Sequence, residues 1–254
     1  MLVAIDVGNS NIHLGEFTIA EKPKLRSVRL FSQTPTGRRD FYTQLAQYSS
    51  ASLFIISDAR GQKALTTDDE FLRIQEKFPK FIILRPKDLL GLKISYQPQQ
   101  SLGTDRIAAA YGAYKEYQKD LVVIDFGTAT TINLVTHGGE FLGGLILPGI
   151  HSIISGYPQH LVQVTNFRYS PLQPKPIATT TSQAVKFGLY YTVVRPILEI
   201  IKSYEERLKN KLFLVATGGG LKLYPPVKKI FHVINPYLTL KGLAYIYQIY
   251  YFSR

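Results

Sequence analysis

Two short stretches of this chain carry the residue types that phosphate chemistry requires. VGNSN at 7–11 and FGTAT at 126–130 each set a glycine among hydroxyl and amide side chains, just after an apolar run and an aspartate, Asp6 or Asp125. Glycine in a tight turn lets backbone N–H groups approach a phosphate closely, and neighbouring Asn, Ser and Thr side chains add donors without a desolvated charge. A carboxylate at the end of a strand can hold Mg²⁺ directly or through water. Either stretch alone also reads as an ordinary hairpin with a turn aspartate. The two together are more specific, because a pair of such turns would clamp a polyphosphate between two lobes.

A third stretch, VATGGG at 215–220, reads as a strand entering a glycine turn, where Gly218 and Gly219 could pass under an adenine or ribose face. Neither G-x-x-x-x-G-K-[ST] nor G-x-G-x-x-G occurs, so a nucleotide would need a different fold from the P-loop or dinucleotide-binding types. Asp105 opens the helical pattern TDRIAAAYGAYKEYQ, in which Ile107, Ala110, Tyr111 and Tyr114 share a stripe. A carboxylate there is favoured in its ionised form by the helix terminus. It could accept the proton of an attacking hydroxyl in phosphoryl transfer, or it could simply cap the helix. Arg106 offers a rigid fork for a substrate carboxylate, or a surface ion pair. The five histidines form no metal-ligand pair at helical spacing and no nucleophile set, and His13 and His151 read as structural.

The elements that must position these residues follow from periodicity. Residues 2–7 and 12–17 read as a hairpin, 53–57 and 81–84 as buried strands, and 39–48 and 65–77 as helices. Strands follow at 121–126, 130–135 and 140–147, then a long helix over 182–208 with Pro196 as a kink or break, and a final helix near Leu238. The expectation is an α/β chain of two βββ/α halves, divided as 1–114 and 115–254. Proline and serine concentrate at 86–101 and 165–182, which read as functional loops or lids.

Composition narrows the options. The chain has 254 residues, 45% of them hydrophobic, enough for a sizeable core, and no cysteine, which excludes disulfides and Cys-ligated metals. The N-terminal apolar run lacks a basic leader and contains Asp6, so it reads as the first strand of a cytoplasmic protein. The apolar C-terminal GLAYIYQIYYF falls short of the roughly 20 residues a membrane span needs. A net charge of +12 raises nucleic acid as a partner, but the cations fall in scattered pairs such as Arg38 and Arg39 or Lys228 and Lys229. That distribution fits solvated faces and attraction for small anions, with neither nucleic acid nor membrane as a partner.

Asp-Gly turns in two duplicated halves with a late glycine turn resemble the acetate and sugar kinase, chaperone ATPase and actin superfamily. AIDVGNSN, GTDR, DFGTATT and LGGLILPG, in that order, resemble the type III pantothenate kinases over nearly the whole chain. The resemblance implies two ribonuclease H-like, actin-like ATPase lobes with a nucleotide cleft between them. It places Asp6, Gly8, Asn9, Ser10 and Asn11 on a first phosphate motif, and Gly127, Thr128, Ala129 and Thr130 on a second. It further implies a monovalent cation, K⁺ or NH₄⁺, at Asp125, and a substrate site of Tyr96, Gly103, Thr104, Asp105, Arg106 and Thr181. ATP, pantothenate, Mg²⁺ and a homodimer complete the implied set. The chain departs from the family pattern at Gln97, Pro98 and Gln99, in SDAR at 57–60 and in HLVQV at 160–164. A catalytically silent nucleotide-binding module and a kinase for another small alcohol are the alternatives.

Overall fold

The structure, a computed structural model, describes residues 1–58, 60, 68–78, 80–86, 91–156, 175–223 and 225–252. The first three residues of the helix expected at 65–77, the HLVQV stretch at 160–164 and most of the loop expected at 165–182 lie outside them. The chain forms two compact units: Met1–Gln118 with Val135–Gly143 and Tyr237–Arg254, and Lys119–Leu134 with Gly144–Pro236. The final helix, read from the sequence with the second half, thus groups with the first.

In the first unit, β1 (Leu2–Val7) is an almost unbroken apolar run with Leu2 through Ile5 buried, as befits a central strand. It pairs antiparallel with β2 (Asn11–Thr18) and parallel with β4 (Leu53–Asp58). With β3 (Lys24–Ser32) and β5 (Phe81–Ile83), the sheet order is β3-β2-β1-β4-β5. Val3, Ile5 and Val7 share a core with Phe41 and Leu45 of α1 (Pro35–Ala46) and Phe71 of α2 (Asp69–Gln75). Helix α1 starts at Pro35, four residues before the periodicity suggested, because Thr34 accepts a hydrogen bond from the Gly37 N–H (3.2 Å) and proline suits the first turn.

The segment at 86–101, expected to be a loop, holds a short strand, β6 (Lys93–Ile94), and a 3₁₀ turn at Gln99–Ser101. Helix α3 (Thr104–Tyr117) packs against the final helix, which also covers β1 and β4. Their contact is so close that a Cβ on Gly242 would lie 1.7 Å from the Ala108 carbonyl oxygen. Glu116 secures the pair by accepting from Tyr245 Oη (2.7 Å) and Lys241 Nζ (3.3 Å). Gly242→Ala is expected to cost about 1–3 kcal/mol, since backbone rather than a side chain would have to move; urea denaturation measures it.

The second unit contains β7 (Leu121–Phe126), most of β8 (Ala129–Val135), the later part of β9 (Glu140–Pro148), β10 (Phe213–Thr217) and β11 (Val233–Ile234). Its order, β9-β8-β7-β10-β11, repeats β3-β2-β1-β4-β5, and β7 pairs parallel with β10 as β1 does with β4. This is the duplication expected from the two Asp-Gly hairpins. The earlier residues of β9 belong to the first unit and pair parallel with β6, Ile94 opposite Phe141. A short helix, α4 (Ile150–Ser155), precedes α5 (Thr181–Leu208), which runs through Pro196 as a single element rather than breaking there. The final helix is α6 (Leu238–Phe252).

Candidate functional site

In the first unit Asp6 and the turn after it lie at the carboxyl ends of the parallel strands β1 and β4, the edge where open α/β sheets bind ligands. Asp6 lies opposite Ser57 on one side and His13 on the other. Burial lowers the pKa of His13, so the imidazole beside Asp6 is neutral at physiological pH. The turn closes through the Gly8 N–H donating to the Asn11 carbonyl (2.9 Å), with Asn9 and Ser10 exposed. Behind it, Gln33 donates to the Gly8 carbonyl through Nε2 (2.7 Å) and to the Ser10 carbonyl through its own N–H (3.0 Å).

The start of α3 is tied to the same strand ends. Thr104 Oγ1 and Ser57 Oγ, both buried, are 2.9 Å apart in a hydrogen bond. Gly103 supplies the cap position without a side chain, and Asp105 Oδ1 accepts from the Arg106 N–H (2.8 Å). The sequence suggested that the helix terminus would favour ionised Asp105. The structure corrects this: burial raises the carboxyl above its ordinary pKa, outweighing the N–H of Arg106 and its positive charge.

Arg106 itself is only 5% exposed and faces two rings, its Cζ 5.4 Å from the centroid of Tyr96 and 5.8 Å from that of Phe141. It is therefore no surface cation. The rings meet edge to face at 6.5 Å, and both stand within cation–π reach of the guanidinium. Phe141 was not singled out from the sequence. The available signal was the alternation in EFLGG, which puts Phe141 and Gly143 on one side of β9, and a Cβ on Gly143 would stand 3.7 Å from Tyr96 Cδ2.

In the second unit, Asp125 lies opposite Thr217 at the ends of β7 and β10. The turn between β7 and β8 closes through the Gly127 N–H donating to the Ala129 carbonyl (3.0 Å), with Gly127 and Thr128 exposed and Thr130 buried. Gly218 has a φ of +92°, and a Cβ there would come within 2.3 Å of Asp125 Oδ1. Only glycine lets these strand ends meet. At Gly219, by contrast, a Cβ would find nothing within 4 Å. That open backbone suits a flat ligand face. Thr181 is the first residue of α5 and is exposed, following Thr180, whose hydroxyl accepts from the Gln183 N–H (3.3 Å).

Among the described residues no three His, Asp or Glu side chains gather as a metal cage. Mg²⁺ keeps several waters and takes one or two carboxylates along with substrate phosphates, and Asp6 at the end of β1 offers a single carboxylate of that kind. No described helix is long and apolar enough to cross a membrane.

The chain shares its fold with several solved structures. It resembles Ta0583, an archaeal actin homolog, with a TM-score of 0.52 at 13% identity, covering 97% of this chain and 99% of that one. It also resembles the activator of 2-hydroxyisocaproyl-CoA dehydratase from Clostridium difficile with bound ADPNP, with a TM-score of 0.52 at 10% identity, covering 99% and 96%. A Campylobacter jejuni protein described as a conserved Baf family transcriptional activator gives 0.58 at 22% identity, covering 97% of each. At such identities these structures speak for the fold alone.

The family model of type III pantothenate kinase matches residues 2–203. Type III pantothenate kinases of Anaeromyxobacter sp. and Geobacter sulfurreducens are each 31% identical, across 98% of this chain and 99% and 98% of their own lengths. The chain belongs to the type III pantothenate kinase family.

Proposed function

We propose that the protein phosphorylates pantothenate with ATP, giving 4′-phosphopantothenate and ADP in the first step of coenzyme A biosynthesis. The carrying observation is the half-buried Asp105 carboxyl beside the ring-held Arg106 guanidinium, at the edge that also bears the first Asp-Gly turn. The acceptor hydroxyl oxygen bonds to the γ-phosphorus as the bond to the β–γ bridging oxygen breaks, ADP leaves, and the hydroxyl proton passes to Asp105. Much of the catalysis is positioning and charge neutralisation.

Each residue then has a role. The turns of Gly8, Asn9, Ser10 and Asn11 and of Gly127, Thr128, Ala129 and Thr130 hold phosphates, and Gly218 and Gly219 underlie the adenosine. Arg106 grips the pantothenate carboxylate, with Tyr96, Gly103, Thr104 and Thr181 completing the substrate contacts. Asp6 holds Mg²⁺, directly or through water, and the ion neutralises phosphate charge. Asp125 holds K⁺ or NH₄⁺. The working enzyme is a cytoplasmic homodimer, and neither nucleic acid nor membrane is a partner.

ADP release from Mg-ATP, with and without pantothenate and in K⁺ or Na⁺ buffer, tests this reading. Pantothenate-dependent turnover that requires K⁺ is expected. Turnover equal in both salts removes the cation role of Asp125, and ATP binding without pantothenate stimulation removes the substrate.

A further inference from the structure

The first phosphate turn is held from behind by a chain of side chains that ends on a buried carboxylate. Gln33 anchors two of its carbonyls, those of Gly8 and Ser10. Across a trans peptide the C=O and the following N–H point in opposite directions. Fixing the Gly8 carbonyl on Gln33 therefore aims the Asn9 N–H to the other side of the turn, where a phosphate oxygen would accept it.

The Gln33 amide could do this in only one of its two orientations, and Arg60 selects it. Arg60 Nη1 donates to Gln33 Oε1 (3.3 Å), and a guanidinium can only donate. The oxygen end of the amide must face Arg60, which leaves Nε2 for the Gly8 carbonyl. Arg60 is held in turn by Asp58, through Nε to Oδ1 (3.1 Å), Nη2 to Oδ2 (3.2 Å) and its backbone N–H to Oδ1 (3.0 Å). The Asp58 side chain is 4% exposed, and the residue lies opposite Val7, immediately before the turn. A paired charge at that depth holds its geometry firmly.

We propose that Gln33, oriented by Arg60 and Asp58, is a positioning residue for the first phosphate turn, setting affinity for the nucleotide and leaving affinity for the alcohol substrate untouched. This rests on the reading of Gly8–Asn11 as a phosphate site. Arg60 and Asp58 fall in the SDAR stretch at 57–60.

The test is calorimetric titration with Mg-ATP, alongside steady-state kinetics and thermal melting, on the wild type, Gln33→Glu, Arg60→Ala and Gln33→Ala with its double mutant. Gln33→Glu keeps an acceptor for Arg60 but turns an oxygen toward the Gly8 carbonyl. It is expected to weaken Mg-ATP about tenfold or more, with KM for pantothenate within about twofold of wild type. Arg60→Ala is expected to weaken Mg-ATP in the same direction, and its effect should shrink when Gln33 is already Ala. Should Gln33→Glu fail to fold, Arg60→Ala carries the comparison. Variants that melt lower yet bind Mg-ATP as tightly as wild type would overturn the proposal, as would equal losses for both substrates. A wild type that binds Mg-ATP but ignores pantothenate leaves the proposal decided by affinity and sinks only the choice of substrate; one that binds no nucleotide sinks both.

Discussion

Asp105→Asn is expected to lower kcat by about 10²- to 10⁴-fold while raising the melting temperature at neutral pH. The amide oxygen can still accept from the Arg106 N–H, as Asp105 Oδ1 does at 2.8 Å, so the start of α3 is preserved. What disappears is the ability to take a proton. The stability change follows from the direction of the pKa shift. Burial raises the carboxyl in the folded protein above its value in the unfolded chain, so its contribution to stability is fully present below the unfolded value and is lost as pH rises through the folded one. At neutral pH the wild type bears that loss and the Asn variant does not. Turnover by the wild type should likewise have an acidic limb displaced upward from the ordinary carboxylate range. A variant that keeps kcat within about tenfold of wild type would remove Asp105 as the base, and one less stable at pH 7 would contradict the burial account.

Arg106→Ala is expected to lower kcat/KM for pantothenate by about 10²- to 10³-fold, the scale of losing one desolvated partner of a charge pair. Arg106→Lys should recover only part of this, because an ammonium keeps the charge but not the planar fork that packs against Tyr96 and Phe141. The decisive comparison uses an analogue in which the carboxylate is replaced by a hydroxymethyl group. Wild type should strongly prefer pantothenate, and Arg106→Ala should treat the two alike, with KM for ATP unchanged. Persistent preference in the Ala variant would assign carboxylate recognition elsewhere and leave Arg106 a purely structural cation.

Both experiments address residues that the sequence already singled out. Two Asp-Gly turns after apolar runs were legible because a central strand and a tight turn are specified by neighbours along the chain, and the repeated strand order followed. Strand β3 was missed for the opposite reason: KLRSVRLFS lies at a sheet edge, largely exposed or half-buried, and its polar residues hide the alternation. Helix α1 begins ahead of its apolar periodicity because its start is set by capping, with Thr34 at the cap and Pro35 in the first turn, rather than by the stripe that follows. The protonation bias of Asp105 was misjudged because helix-terminus electrostatics can be read locally, whereas burial depends on what folds over the residue. Gln33, Arg60 and Phe141 escaped notice because each acts on partners far away in sequence, Gln33 on Gly8 and Arg60 on Gln33, and such pairings leave no spacing to detect.

The location of α6 has a consequence for how the protein is made. The helix that covers β1 and β4 and locks against Ala108 is the last element of the chain, whereas β1 is the first. During synthesis β1 leaves the ribosome more than two hundred residues ahead of its cover. Chains of this size are translated at about 5–20 residues per second, so the apolar strand spends on the order of ten seconds or more without its final partner. The intervening second unit is complete in sequence by Pro236, before that partner exists. A ribosome stalled between Pro236 and Leu238 would thus have joined every residue of the second unit while the core of the first is still open, a species on which a chaperone that captures exposed apolar strands would act.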